Sequence, residues 1–328
     1  MRIRTLHRGS PPGARSTTIR WLAGRLVLGV LVLFLVSVLL FLVTQALPGD
    51  VARIILGKDA TVEQVAALRR QLGLDRSLVA QYWQWLSGVL TGEMGTSLEN
   101  GEPVVDIIGP RMFNSFTLGL ISMVLILPLA VVIGVLSAYR RDSAFDKAFV
   151  AVSSLFTALP AFVVGMLLIA FFATSVLGVL PGVSNIPPGD LPWWYPAELV
   201  LPVTTLTLMG VMYLGRLVRA SFIDAMNSEY VQTAILKGLS GRRILFRHAL
   251  PNAIAASLPA ASLVAAVTIT GVVVVEYVYS YPGLGTAVVS AVNSHDLPVM
   301  QASILILATA YYVFNLLADV FAAMSRSR

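Results

Sequence analysis

Residues 220–253 read A-S-F-I-D-A-M-N-S-E-Y-V-Q-T-A-I-L-K-G-L-S-G-R-R-I-L-F-R-H-A-L-P-N-A. They form the longest polar, basic interruption between runs that are each apolar enough to cross a membrane. The pattern predicts two short helices with a turn between them. Asn227 or Ser228 is placed to cap the first, Glu229 lies in its first turn and Lys237 in its last. Gly238 falls where a glycine ends a helix in the left-handed region. Ser240 is placed to cap a second helix, which Pro251 would limit. Val231, Ile235 and Leu239 recur at four-residue spacing and make an apolar stripe. Such a stripe outside the membrane needs a cover, either lipid headgroups or a partner.

The bulk of the chain fits that reading. Of 328 residues, 57% are hydrophobic and only 12% charged, with a mean hydropathy of +0.81. Soluble domains carry about twice that charge, so the class is integral membrane. The chain has no cysteine, which excludes disulfides and thiolate metal sites. A net charge of +6 follows the membrane and does not point to nucleic acid.

Outward from the central loop, the apolar runs predict six spans. Residues 1–25 hold six Arg and no acid and read as a disordered basic tail. Residues 26–47 are a first span, too long for a signal peptide core. Residues 48–110 are polar, with a Thr61-x-x-Gln64 capping box, a stop at Gly73 and a Ser77 cap before Tyr82, Trp83 and Trp85. The remaining spans are expected at about 113–138, 148 to before Pro181 with a kink at Pro160, 199–217, 254–275 and 299–324. They make a membrane domain over 111–324, with a short tail at 325–328. Gly29, inside the first span, is expected to accept alanine with little effect on coupling. Trp193, Trp194 and Tyr195 are placed at the interface. With both termini inside, 17 of the 23 Lys and Arg lie in inner segments, which orients the chain by the positive-inside rule.

Catalytic and metal motifs are absent. There is no G-x-x-x-x-G-K-[ST] and no H-E-x-x-H, and His7, His248 and His295 lie in different segments. The chain itself should therefore not hydrolyse ATP. Away from their ends the spans hold no Asp, Glu, Lys, Arg or His, groups that a proton-coupled carrier needs near the midplane. The energy for any transport must then come from a partner.

The central loop also resembles that of bacterial ABC importer permeases, E-A-A-x-x-x-G followed by I-x-L-P. Ala234, Gly238, Leu250 and Pro251 fall on that spacing, whereas Gln232, Thr233 and His248 depart from it. The peptide and nickel permeases are more similar still. Tyr230, Val231, Ala234, Lys237, Gly238, Leu239, Ser240 and the run Arg247 to Leu250 match their Y-V-x-x-A-x-x-K-G-L-S and R-H-A-L, while Ile235 and Leu236 stand where Arg-Ala is usual. Residues 274–285, V-V-E-Y-V-Y-S-Y-P-G-L-G, resemble the V-x-E-x-x-F-x-x-P-G-L-G signature of the same permeases, with Tyr279 for Phe. Gln81-Tyr82-Trp83, Trp85-Leu86 and the turn Gly92-Glu93-Met94-Gly95-Thr96-Ser97 resemble the same group, with Glu93 for Asp. Asp296, Pro298, Asn315 and Asp319 also fit it, and a terminal D-P-R is missing.

The resemblance implies an all-α polytopic protein of six transmembrane helices, with a type I ABC importer permease fold and a helical external insertion. It would be the permease of a di- or oligopeptide importer in the bacterial inner membrane. Its implied partners are a second homologous permease, two cytoplasmic ATPases and an extracytoplasmic solute-binding protein. ATP and Mg would be held by the ATPases and no cofactor by this chain. The coupling loop would comprise Glu229, Tyr230, Val231, Ala234, Ile235, Lys237, Gly238, Leu239, Leu250 and Pro251. Glu276, Tyr279, Pro282, Gly283 and Gly285 would form a structural or gating signature. There, Glu276 either holds a re-entrant turn by its amides or simply ends a span at the interface. Tyr82, Trp83, Trp85, Gly92, Glu93 and Gly95 would be a lid or a dock for the solute-binding protein, or else a packed cap with an interfacial anchor. A nickel or glutathione importer is the alternative reading. An ion-coupled carrier and an intramembrane enzyme are more distant ones.

Overall fold

The computed structural model describes residues 14–46, 51–56, 60–71, 73, 75–174, 176–187 and 189–326. Among these it is helical throughout, and the lone β-type pairing is a bridge between Thr96 and Pro103. Helix α1 spans Ala14–Ala46 and is followed by α2 (Val51–Leu56), α3 (Val62–Gln71) and α4 (Leu78–Thr91). Then come α5 (Val104–Tyr139), α6 (Ala144–Ala158), α7 (Ala161–Phe172) and α8 (Pro196–Met226). The short α9 (Glu229–Leu236) and α10 (Gly241–Ile244) precede α11 (Leu250–Val278), α12 (Leu284–Ser294) and α13 (Leu297–Arg326).

Among the described residues five helices are long and apolar enough to cross a membrane, and α6 with α7 would make a sixth, broken span. The bounds differ from the sequence expectation where tertiary packing extends a helix. Helix α1 begins within the basic stretch at Ala14, and residues 1–13 of the expected tail lie outside the described residues. Helix α5 starts at Val104 and runs through Pro110, whose exposed ring costs it one bond near the start. The last two residues of the 325–328 tail lie outside the described residues, and α13 itself reaches Arg326.

At Pro160 the structure shows a break where a kink is expected: α6 and α7 are bent by 111°. Pro160 pushes Leu159 to φ −87°, ψ 135°, and itself sits at φ −63°, ψ 147°. Two consecutive extended residues end one helix and start another.

The bundle closes on α5 against α8. A Cβ on Gly134 would come within 2.6 Å of the Gly215 carbonyl oxygen, so the two backbones touch there. Ile126, Ala130, Val211, Leu214, Val218 and Val264 fill the core around that crossing. Helix α1 lies antiparallel to α13. Arg25 pairs with Asp319 at one end, and the Gln301 amide donates to Thr44 Oγ1 over 2.6 Å at the other. The Tyr312 ring occupies the space a side chain at Gly29 would need. Gly29 is therefore a crossing point between the first and last spans rather than a silent position.

Candidate functional site: the α9–α10 hairpin and the buried turn after α11

Helix α8 does not stop at Leu217, the expected end of its span, but continues to Met226, so the first residues of the 220–253 loop extend that helix. Ser228 occupies the N-cap position of α9 at φ −73°, ψ 153°, yet its hydroxyl donates to the Ala225 carbonyl and makes no side-chain cap. Helix α9 ends at Lys237, and Gly238 follows at φ +71°. Its N–H donates to the Ile235 carbonyl (2.9 Å) and the Leu239 N–H to the Ala234 carbonyl (3.2 Å). These two bonds make a Schellman end, in which Leu239 turns back onto the helix. Val231, Ala234 and Ile244 are buried together with Leu239 packed against them.

The expected stripe is thus divided. Val231 and Leu239 face the hairpin's own core, while Ile235 is 49% exposed and Leu236 87% exposed. Tyr230 and Phe246 are exposed on the same hairpin, as are Glu229 and Lys237. The exposed apolar residues are therefore Tyr230, Ile235, Leu236 and Phe246. Two of these are the residues at which the chain departs from the usual Arg-Ala. Phe246 was not legible as a surface residue, because its face is set by the turn that follows.

Pro251 does not end the α10 segment. Residues Leu245–Ala249 form one π turn, and α10 runs through it into α11 as a continuous rod. The Leu250 N–H donates to the Leu245 carbonyl, and the Asn252 amide closes on the His248 carbonyl at 2.7 Å. A wide turn accommodates the proline because its missing N–H and bulky ring no longer meet a regular α ladder. Leu250 is half-buried against Ala138, Phe222, Ala225 and Ala253, while Pro251 stays exposed.

The second motif is an internal lock. Glu276 is fully buried at the end of α11. Its carboxylate accepts from Ser115 Oγ (2.5 Å) and from the Gly285 N–H (2.6 Å), and Ser115 Oγ in turn accepts the Leu284 N–H (2.8 Å). The Asn114 amide donates to the Pro282 carbonyl at 2.8 Å. One carboxylate thereby joins α5, α11 and the start of α12. Glycine is required by space here. A Cβ on Gly283 would overlap the Glu276 carboxylate, and one on Gly285 would meet the Val273 backbone at 2.7 Å. Tyr279 donates to the Gly165 carbonyl and contacts Thr205 Oγ1 at 2.9 Å; Tyr281 donates to the Asn114 carbonyl. Burial pushes both phenols above the usual tyrosine range, so they serve as neutral hydrogen-bonding groups. Ser115, Asn114 and Thr205 carry no sequence signal, because each lies on an apolar span far along the chain from its partner.

The insertion residues divide in the same way. The capping box forms, with Thr61 N–H to Gln64 Oε1 at 2.9 Å and Gln64 N–H to Thr61 Oγ1 at 3.3 Å. Ser77 caps α4. Tyr82 is buried, bonds Ser37 Oγ at 2.8 Å and packs edge-on to Phe34 and Phe41 of α1; Trp85 joins that cluster. Trp83 faces outward. Gly92 and Gly95 take φ of +86° and +83°, turning the chain past Glu93 so that Ser97 reaches the buried Asp296 carboxylate. Asp296 also accepts the Leu98 N–H at 3.2 Å, which pins the insertion to the start of α13. The arrangement ties the Ser115 and Ser97 hydroxyls to the Glu276 and Asp296 carboxylates, and the described residues hold no group of three His, Cys, Asp or Glu able to bind a metal. What it offers is an insertion packed on α1, a locked bundle and a greasy hairpin carried on two long helices.

Residues 130–328 match the family described as binding-protein-dependent transport system inner membrane component, and residues 18–119 match the family of its N-terminal part. A probable peptide ABC transporter permease protein of Sinorhizobium fredii is 35% identical over 297 residues, covering 90% of this chain and 94% of that protein. A putative peptide transport system permease protein of Brucella abortus is 33% identical over the same share of each chain. The glutathione transport system permease protein GsiC of Escherichia coli K12 is 35% identical over 291 residues, or 89% of this chain and 92% of that one.

Proposed function

The chain belongs to the binding-protein-dependent transport inner-membrane component family, and on that premise we propose that it is a permease subunit of an ATP-driven importer of di- or oligopeptides. The observation that carries the peptide reading is full-length similarity to two permeases named for peptides. The glutathione permease among the relatives keeps one alternative in view, and glutathione is itself a tripeptide. Nickel import is the other alternative.

The division of labour follows from the chemistry of the chain. It has no P-loop, so ATP and Mg belong on ATPase partners. The α9–α10 hairpin is the surface on which such a partner would act, at the inner face of the membrane with both termini on that side. Its own core keeps it rigid, and Tyr230, Ile235, Leu236 and Phe246 give the partner an apolar surface to grip. Closure of the ATPase pair would then move α8 and α11, which leave the hairpin in both directions. A second homologous permease would complete the pathway, and a solute-binding protein would deliver substrate at the α2–α4 face.

Leu236→Asp tests the hairpin's role. The variant leaves the buried set Val231, Ala234 and Ile244 intact, so the chain should insert and pair with the second permease normally. Co-purification of the ATPases should fall at least about tenfold, the scale of losing one buried leucine from an interface. Unchanged co-purification would place the ATPase contact elsewhere.

A further inference from the structure

Seven residues before the end of α8, Arg219 makes a forked pair with Asp146 at the start of α6. Nε reaches Oδ1 at 2.6 Å and Nη2 reaches Oδ2 at 2.7 Å. The carboxylate is buried and has further donors: Ser137 Oγ of α5 at 2.5 Å and the Asp142 N–H of the α5–α6 turn at 3.0 Å. Asp142 is held at φ +64° to present that N–H. The Asp146 N–H in turn donates to Ser143 Oγ, the N-cap of α6. A single carboxylate is thus gripped by α5, by the turn and by α8. Close by along both helices, Gly134 and Gly215 bring the α5 and α8 backbones into contact. The hairpin has its own separate core and joins α8 through Asn227 and Ser228, whose N–H groups donate to the Ile223 and Ala225 carbonyls, and through Leu245 and Leu250, which pack with the Phe222 and Ala225 cluster.

We propose that Asp146 is a positioning residue for coupling: a strut through which movement of α8, imposed at the hairpin, is transmitted to the α5–α6 hairpin. The proposal rests on the ATPase-coupled reading above. Packing alone lets two helices slide by small shear steps. A forked pair on a buried carboxylate resists sliding, because displacing the part-exposed Arg219 guanidinium leaves that charge uncompensated. With the strut intact, a pull on α8 moves α5 and α6. Without it, α8 moves alone and hydrolysis no longer shifts the pathway.

The test uses the complete importer in proteoliposomes, with peptide uptake and ATP hydrolysis measured together. Asp146→Asn should keep hydrolysis stimulated by loaded binding protein within about twofold of wild type. Uptake per ATP should fall about tenfold or more, the scale set by removing one partner of a buried forked pair. The native chain has no cysteine, so Asp146→Cys with Arg219→Cys, beside cysteine-free partners, supplies a second measurement. The open double variant should be uncoupled, and a short thiol-to-thiol crosslinker should restore uptake per ATP. A role in folding alone would give no such recovery. Normal uptake per ATP in Asp146→Asn would overturn the strut, as would a crosslinked variant that stays as uncoupled as the open one. Failure of the wild-type chain to assemble with any ATPase would instead overturn the function on which the strut rests.

Discussion

Substitutions at Gly238 separate backbone conformation from packing. A Cβ built on this glycine meets nothing within 4 Å, while its φ is +71°. Replacement therefore creates no clash, and the whole effect comes from holding an L-residue in the left-handed region. That costs roughly 1 kcal/mol for alanine and more for a β-branched residue, whereas asparagine tolerates the conformation. About 1 kcal/mol shifts the balance between the capped and frayed end of α9 roughly fivefold. The frayed end loses the two bonds to Ile235 and Ala234 and releases Leu239 from the hairpin core. Tyr230, Ile235 and Leu236 then lose their fixed placement. Stimulation of ATP hydrolysis by loaded binding protein, measured in proteoliposomes, should rank Gly238 above Asn, Asn above Ala, and Ala above Val. Membrane insertion and the melting temperature of the purified complex should stay within error, because the spans do not depend on this turn. Asn and Val variants of equal activity, or a Val variant at the wild-type level, would refute the argument that a left-handed cap positions the docking face.

Other outcomes follow from the same geometry. Gly285→Ala places a methyl group 2.7 Å from the Val273 backbone and 2.8 Å from Glu276 Oε2. It should lower the yield of folded protein in detergent and expose α12 to protease, and a normal protease pattern would show that the lock can relax. Tyr82→Ala removes a buried ring and its bond to Ser37. It should destabilise the packing of the insertion on α1 by about 3 kcal/mol, read as faster proteolysis within residues 78–91. Resistance equal to wild type would mean that the cluster is ornamental. Single cysteines at positions 80 and 190 should react with a membrane-impermeant thiol reagent added outside, and one at 240 only from inside. Labelling of 240 from outside would reverse the proposed orientation.

Local features of the chain were the legible ones. Gly238, the Thr61–Gln64 box and the Ser77 cap depend on residues a few positions apart, where spacing alone determines which N–H meets which oxygen. The division of the Val231, Ile235 and Leu239 stripe was not legible, since it depends on Ile244 arriving from the next helix. The same holds for pairs far apart in sequence. Ser97 with Asp296, Arg219 with Asp146 and Gly29 with Tyr312 are set by how long helices lie against each other. Nothing near Asp146 in the sequence pointed to Arg219. Proline misled twice in opposite directions. Pro160 breaks its helix outright, while Pro251 is absorbed by a π turn that no periodicity announces.

The central claim is that this chain moves peptides only with energy supplied through its partners. The most direct measurement is uptake of a labelled di- or tripeptide by proteoliposomes holding the chain with its second permease, ATPases and binding protein. Accumulation should require ATP on the ATPase side together with binding protein, and should survive collapse of the proton gradient. Vesicles holding the chain alone should accumulate nothing. Uptake by the chain alone, driven by a proton gradient and indifferent to ATP, would contradict the account.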